Sequence, residues 1–296
     1  MCHHDLMDQQ PPGASGSALE ESEETYCYGH PNTPTRLRCS RCERPICGRC
    51  AIPASVGQHC PECVAEARKT APRVRSAVAA QAPAVVAILA INVGVFVLQQ
   101  LVPGLTRQFA LMPGEIADGE WWRLFTPMVL HSSRIFHILL NSLVLWIYGP
   151  HVERAFGTVR FVVLYLISGF IASVTSYAFG PVNIIGVGAS GAIFGIAGVL
   201  LVYLYRRRSS TFVYAEMRNL GAFIGLNLVL GFVIPGIDYL AHLGGLLGGM
   251  ALAVGFDRGD RRTSPALQMA TAAVVIGAGV GLLMYRTSEL GGSLLA

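Results

Sequence analysis

A chain of 296 residues with 52% hydrophobic and 14% charged residues falls well short of the roughly 25% charged residues of an ordinary soluble domain, which excludes a single water-soluble globule. The formal net charge of +4 is too small to argue for nucleic acid as a partner. The charges are also unevenly spread, lying mostly before residue 80, in the stretch 206–218, or near 257–262. That distribution predicts a membrane domain carrying a soluble N-terminal appendage.

The first segment, 1–26, is rich in Gln, Pro, Gly, Ser and Glu. It holds too little apolar surface to fold and is predicted to be disordered. It contains no apolar h-region of the kind a secretory signal needs, so the N-terminus is expected to stay in the cytosol. All eight cysteines precede residue 64, and seven lie between Cys27 and Cys63. In a reducing compartment such thiols read as metal ligands before they read as disulfides. The pairs Cys27-x2-His30, Cys39-x2-Cys42, Cys47-x2-Cys50 and Cys60-x2-Cys63 offer enough soft or borderline ligands for two closed tetrahedral zinc sites. A module spanning 27–63 has too little apolar surface to fold without such staples.

The pattern resembles B-box-like zinc fingers, whose ligand pairs interleave. That resemblance implies one site of Cys27, His30, Cys47 and Cys50 and another of Cys39, Cys42, Cys60 and Cys63. Sequential pairing stays open, and His59 is an alternative to Cys60 that the Cys60-x2-Cys63 spacing disfavours. Closed sites leave no open coordination position, so a structural, partner-binding module is expected. Arg36, Arg38, Arg41, Arg44 and Arg49 make it basic and suit lipid headgroups or an acidic cytosolic protein, with nucleic acid the least favoured choice. A linker, 64–82, follows with Arg68, Lys69, Arg73 and Arg75.

Apolar runs then recur at bilayer lengths, about 20 residues of helix each. They fall at 83–102, 135–150, 159–179, 187–205, 219–234, 238–256 and 266–285, predicting seven spans within a membrane domain of 83–286 and a tail of 287–296. The positive-inside rule orients them. Arg68 to Arg75, Arg154 and Arg160, Arg206 to Arg208, and Arg258, Arg261 and Arg262 all precede or follow spans on the side expected to be cytosolic. The external loops after the third and fifth spans have no Arg or Lys, and the first external loop, 103–134, has only Arg107, Arg123 and Arg134. Within that long loop Trp121 and Trp122 suit the depth of the lipid headgroups. Among basic residues Lys69 is the one lysine. Such a bias suits a GC-rich genome, and a bacterial plasma membrane is the expected location.

Polar residues within the spans need individual explanations. His137 and Asn141 in the second span, Ser190 in the fourth and His242 in the sixth each lie within about two turns of a span's outer end, and so share one depth. Gly188, Gly191, Gly195 and Gly198 line one helix, while Gly244, Gly245, Gly248 and Gly249 follow His242 on another. Glycines three or four apart form smooth faces on which backbones can touch, and packing those faces would bring Ser190 to His242. Taken singly, the serine reads as a packing residue, the histidine as a structural hydrogen-bonder and Asn141 as interhelical glue. Taken together, they make a nucleophile, a base and oxyanion donors.

The residues Gly188-Ala189-Ser190-Gly191, His137 to Asn141, Ala241-His242-Leu243-Gly244-Gly245 and Trp122-Arg123 resemble the GxSG, HxxxN, AHxxG and WR motifs of rhomboid proteases, over residues 83–256. GxSG alone also occurs in soluble hydrolases; four motifs in order are specific. The resemblance implies an all-α polytopic membrane fold, a six-helix core with a seventh C-terminal helix. It further implies an intramembrane serine endopeptidase that cuts transmembrane segments of membrane proteins in the lipid bilayer. Ser190 would be the nucleophile, His242 the base, and His137 and Asn141 oxyanion donors, with Gly188, Gly191, Phe194 and Gly245 shaping the packing around them and Phe194 stacking on the imidazole. No cofactor is expected for catalysis. Asp238, four residues before His242, would allow a triad, but a cap on the sixth helix is the preferred reading. Glu153-Arg154 resembles the ion-pair region of the first cytosolic loop. Two other readings are weighed against this one: a non-catalytic relative that binds or escorts membrane proteins, which would be expected to lack Ser190 or His242, and a membrane adaptor or transporter, disfavoured because the spans contain almost no carboxylates and show no broken, inverted-repeat helices.

Overall fold

The computed structural model describes residues 25–54, 56–70, 82–257 and 263–294. Of the disorder expected for 1–26, residues 1–24 lie outside the described residues, as do the linker arginines Arg73 and Arg75 and Arg258, Arg261 and Arg262, whereas Tyr26 begins a short strand. Internal contacts divide the chain into two units, Met1–Arg75 and Ser76–Ala296.

The first unit is built of two short hairpins and one helix. β1 (Tyr26–Cys27) pairs antiparallel with β2 (His30–Pro34), and β3 (Ile52–Pro53) with β4 (Gln58–His59). α1 (Pro61–Thr70) follows, so the segment expected to be a linker from residue 64 is helical up to Thr70. Pro61 at the first helical position and Glu62 in the first turn are good starts, and Ala65, Glu66 and Ala67 are good continuations. The core of this unit is Ile46 together with Cys27, Cys39, Cys47, Cys50, Cys60 and Cys63. Among the described residues, one fully buried aliphatic side chain among six cysteines, with Tyr28 and Ala51 partly buried beside them, is little apolar burial to hold such a unit together.

The second unit is helical. α2 (Pro83–Leu101) is followed by two short helices, α3 (Leu105–Phe109) and α4 (Pro113–Ala117), and by 3-10 turns at Trp121–Leu124 and Thr126–Val129. Then come α5 (Ile135–Phe156), α6 (Thr158–Phe179), α7 (Ser190–Arg206), α8 (Thr211–Val233), α9 (Tyr239–Phe256) and α10 (Pro265–Leu294). Among the described residues five helices, α2, α5, α6, α9 and α10, are long and apolar enough to cross a membrane; α7 is a shorter apolar helix. α8 occupies the fifth expected span but starts earlier than expected. Ser210 accepts a hydrogen bond from Val213 N at 3.2 Å as its N-cap, and the helix therefore takes in Glu216 and Arg218.

Two further helix ends differ from expectation. α5 runs through Pro150 to Phe156. A proline removes one N–H donor, but the buried Val152, Glu153 and Phe156 hold the last turn in place. α10 continues past residue 287, where a tail was expected, with Arg286 and Glu289 forming an ion pair one turn apart at 3.1 Å. Glu153 has a specific task. Its carboxylate accepts from the N–H groups of Ala84 and Val85, both at 2.9 Å, and from the Thr158 hydroxyl. It thus satisfies the first turn of α2, whose N–H groups have no partners within the helix.

α7 is the central helix, with every residue from Gly191 to Leu200 buried. Its 17 residues rise only about 26 Å, less than the roughly 30 Å hydrocarbon core. The expected fourth span began at 187, whereas the helix begins at Ser190. Residues before it are held as a loop: Leu111 and Gly186 exchange N–H···O bonds at 3.0 and 2.9 Å, and Gly188 N donates to Pro127 O at 2.9 Å. The long first loop is thereby fastened to the segment that leads into Ser190.

Candidate active site and metal centres

Ser190 is the first residue of α7 and His242 lies in the first turn of α9. His242 Nε2 is 2.9 Å from Ser190 Oγ. The approach depends on glycine. A Cβ on Gly245 would lie 1.9 Å from Gly191 O, and one on Gly249 would lie 2.0 Å from Gly195 O. The two backbones are therefore in direct contact along the seam expected from the glycine spacing. Phe194, one turn after the serine, stacks on the imidazole with ring centroids 4.3 Å apart and planes 5° from parallel. Among the described residues His242 Nδ1 has no hydrogen-bond partner. Asp238 is otherwise engaged: its carboxylate accepts from Ala241 N at 2.9 Å as the N-cap of α9 and from the Ser176 hydroxyl. Asp238→Asn should accordingly keep cleavage activity within about tenfold of the parent, since an amide oxygen still caps a helix; a loss of several orders of magnitude in a cleavage assay would restore the triad.

His137 approaches the same spot from α5. The N–H of Ser132 donates to its Nδ1 at 3.2 Å, and Ser132 Oγ lies 3.1 Å from the same atom. A backbone N–H can only donate, so Nδ1 is the acceptor and Nε2 of the neutral ring carries the hydrogen. That Nε2 would be 2.9 Å from a Cβ on Gly188, whose φ of +135° also favours glycine; the same Cβ would be 3.5 Å from Ser190 Oγ. Asn141 is buried and donates one amide hydrogen to His137 O at 2.8 Å, which leaves its second amide hydrogen in the inventory. Ser190, His242, His137 and Gly188 are thus brought together, with Asn141 one turn below His137. Ser132 and the Leu111–Gly186 pairing carry no signal in the sequence, because a backbone bond or a loop serine has no motif.

The Trp122-Arg123 pair resolves into two roles. Trp121 and Trp122 are half-exposed, while Arg123 is 6% exposed. Its Nη1 donates to the carbonyls of Arg107 and Ala110 at 2.9 and 2.8 Å, and its Nε pairs with Glu120. Arg123 therefore closes the first loop, and Leu111 lies next to one of the carbonyls it holds.

In the first unit the eight expected ligands gather as two groups, Cys27, His30, Cys47 and Cys50, and Cys39, Cys42, Cys60 and Cys63, with the ligand atoms of each within 4.8 Å of one another. His59 belongs to neither. Tetrahedral bonds of about 2.3 Å to sulfur would separate ligand sulfurs by about 3.8 Å. Cys27 and Cys50 sulfurs are 3.8 Å apart and those of Cys42 and Cys60 3.7 Å. His30 Nδ1 lies 3.8, 3.4 and 3.3 Å from the sulfurs of Cys27, Cys47 and Cys50. Burial pushes the Cys27 and Cys39 thiols up, but hydrogen bonds, chiefly from backbone groups, outweigh it and lower both to about 6. Burial, then neighbouring cysteines, push Cys50 up to about 11 and Cys63 to about 12. A cation held among such thiols would let all of them ionise.

These geometries can be set beside known proteins. The model of the rhomboid domain matches residues 118–258. The chain is 40% identical over 172 residues to the rhomboid protease GluP of Bacillus subtilis, covering 57% of this chain and 32% of that protein. It is 37% identical over 138 residues to the putative rhomboid protease YdcA of the same organism, covering 47% of this chain and 68% of that one. The chain belongs to the rhomboid family. With the rhomboid protease AarA of Providencia stuartii it shares 33% identity over 165 residues, 57% of that protein; matches to GluP and AarA thus span less than two thirds of those relatives. This rhomboid chain is an integral, multi-pass membrane protein by family and by its five long apolar helices. Both metal-ligand groups lie before the matched residues.

Proposed function

We propose that this chain is an intramembrane serine endopeptidase that cleaves transmembrane segments through a Ser190–His242 dyad and an acyl-enzyme. The observation that carries the reading is the 2.9 Å contact between Ser190 Oγ and His242 Nε2 at the start of the buried helix α7. His242 Nε2 takes the hydroxyl proton as Oγ bonds to the scissile carbonyl carbon. The carbonyl oxygen becomes an oxyanion, met by the Ser190 N–H at the head of α7, His137 Nε2–H and the remaining Asn141 amide hydrogen. Collapse breaks the C–N bond, and the leaving nitrogen takes the proton from His242. Water, deprotonated by the same imidazole, then hydrolyses the ester and returns Ser190. Phe194 keeps the ring in plane throughout, which a base lacking a carboxylate partner on Nδ1 needs.

Single-pass proteins whose helices unwind readily near small residues are the substrates the reading implies. The distribution of arginines supports an N-terminus in the cytosol, and the reading takes the membrane to be a bacterial plasma membrane. The test needs no known substrate: detergent-solubilised protein is treated with a fluorescent fluorophosphonate beside Ser190→Ala and His242→Ala. Labelling of the parent alone is expected. A folded parent that takes no label would favour a non-catalytic, client-binding protein, and label surviving Ser190→Ala would mean another nucleophile.

We further infer that both ligand groups hold Zn²⁺. With four protein ligands each they have no open position, so the metal supplies cross-links and Lewis-acid charge to a unit that lacks an apolar core. Arg44 serves the second group: its Nε donates to Cys42 Sγ at 3.3 Å and its Nη2 lies 3.8 Å from Cys60 Sγ, while Glu62 and the face of Tyr28 hold the guanidinium in place. Arg44→Gln is expected to weaken that site alone by about 10–100-fold in chelator competition, leaving one tight zinc per chain. Equal weakening of both sites, or none, would remove Arg44 from this role.

A further inference from the structure

The N-terminal unit has a face that neither ligand group uses. Residues 37–39 pair with 44–46 around the Arg38–Pro45 bridge, with Ile46 N donating to Leu37 O and Cys39 N to Arg44 O, both at 2.9 Å. Cys39 is buried, whereas its neighbours Arg36, Arg38 and Ser40 are exposed. Arg38 is braced by the carbonyl of Glu43, and the exposed Arg41 by that of Cys63, each at 3.2 Å. The β3–β4 hairpin is fastened to the same place, because Gln58 N donates to Ser40 Oγ and Ser40 N to Gln58 O, both at 2.8 Å. At its tip Val56 is 80% exposed. Two braced guanidinium groups, Arg38 and Arg41, and the exposed Arg36 therefore accompany an aliphatic side chain that is itself largely exposed. Of the two glutamates in 27–63, Glu62 is already paired with Arg44.

We propose that Arg36, Arg38, Arg41 and Val56 form a docking face for an anionic bilayer surface. Charge complementarity selects phosphate-rich headgroups, and the apolar tip suits the layer just beneath them. An acidic soluble protein would answer the arginines but gives no reason for an exposed valine beyond them. Covalent continuity favours the same occupant. Thr70 and Pro83, which opens the bilayer-length helix α2, are 13 residues apart, a reach of at most about 45 Å. A tethered module meets the membrane at high effective concentration, so a weak contact is enough.

The test uses the full chain in nanodiscs of phosphatidylcholine alone or with phosphatidylglycerol, read by hydrogen exchange of peptides covering 34–41 and 52–59. Slower exchange in the anionic discs, reversed by salt, is expected. In Arg36→Gln/Arg38→Gln/Arg41→Gln the docked-to-free ratio should fall on the order of a hundredfold, going by the contribution of each basic residue near an anionic surface. Metal content, measured on each protein, separates lost docking from lost folding, and Val56→Ser gives a second, milder probe that leaves the charges in place. Equal exchange in both disc compositions overturns the proposal, as does protection that arises only when an acidic soluble protein is added.

Discussion

Ser190→Ala is expected to lower cleavage of a quenched transmembrane reporter in liposomes on the order of 10⁴–10⁶-fold, and His242→Ala on top of it should lower the rate no further. In the proposed dyad the serine hydroxyl and the imidazole would act as one unit, since a proton leaving Oγ would have to arrive at Nε2 across 2.9 Å. Removing either ends the step, and removing both removes nothing more. Alanine is also the best helix former, so the substitution at the head of α7 should leave the thermal melt nearly unchanged. His137→Ala should cost less, about 10²–10³-fold, because the Ser190 N–H and Asn141 remain as donors. Multiplicative losses in the Ser190→Ala/His242→Ala protein would instead mean that the two side chains act in separate steps.

The parts of this arrangement legible in the sequence were those that rest on residue type at fixed spacing. The glycines of α7 and α9 announced a close seam because a missing side chain at every third or fourth position has few other uses in a bilayer. His137, Ser190 and His242 stood out because hydrocarbon makes any polar group conspicuous, and Cys27 to Cys63 because thiols in x2 pairs have one common chemistry. Hydropathy could not locate the start of α7. Gly186 to Ala189 are as apolar as the helix that follows, and only their backbone bonds to Leu111 and Pro127 hold them in a loop. The sequence resemblance groups Glu153 with Arg154, and the structure adds a task that no local pattern encodes, since its carboxylate closes the N-terminus of α2 across 68 and 69 residues. Likewise Arg123 follows the tryptophans in sequence but works on carbonyls 13 and 16 residues earlier.

The loop ending at Ser190 and the cap beneath His242 bear on one requirement. The proposed dyad would have no third residue to orient its base, so the surrounding packing would have to do so. Phe194 fixes the plane of the imidazole, Asp238 and Ser176 fix the first turn of α9, and the glycine seam fixes the distance between the two helices. Of these the seam is the least forgiving, because its contacts are backbone to backbone and cannot be relieved by a rotamer change.

Gly245→Ala should therefore be among the most damaging single-methyl changes in the chain. Its Cβ would fall 1.9 Å from Gly191 O and 2.8 Å from Gly191 C, so α7 and α9 must separate by about an ångström or more to restore van der Waals contact. Overpacking of this kind typically costs about 1–3 kcal/mol in stability. The effect on the reaction is larger, since a displacement of about 1 Å between reacting groups can cost on the order of 10²-fold, and this one separates the two helices that carry Ser190 and His242. Gly249→Ala, one turn further along, meets Gly195 O at 2.0 Å and should lower the melting temperature similarly. The contrast is Gly225→Ala on α8, where an added Cβ meets nothing within 4 Å. There the same methyl should be neutral or raise stability by about 0.5–1 kcal/mol through helix propensity alone. Thermal melts and reporter cleavage on the three variants decide the matter: equal effects at Gly245 and Gly225 would mean that glycine in these helices serves flexibility rather than contact.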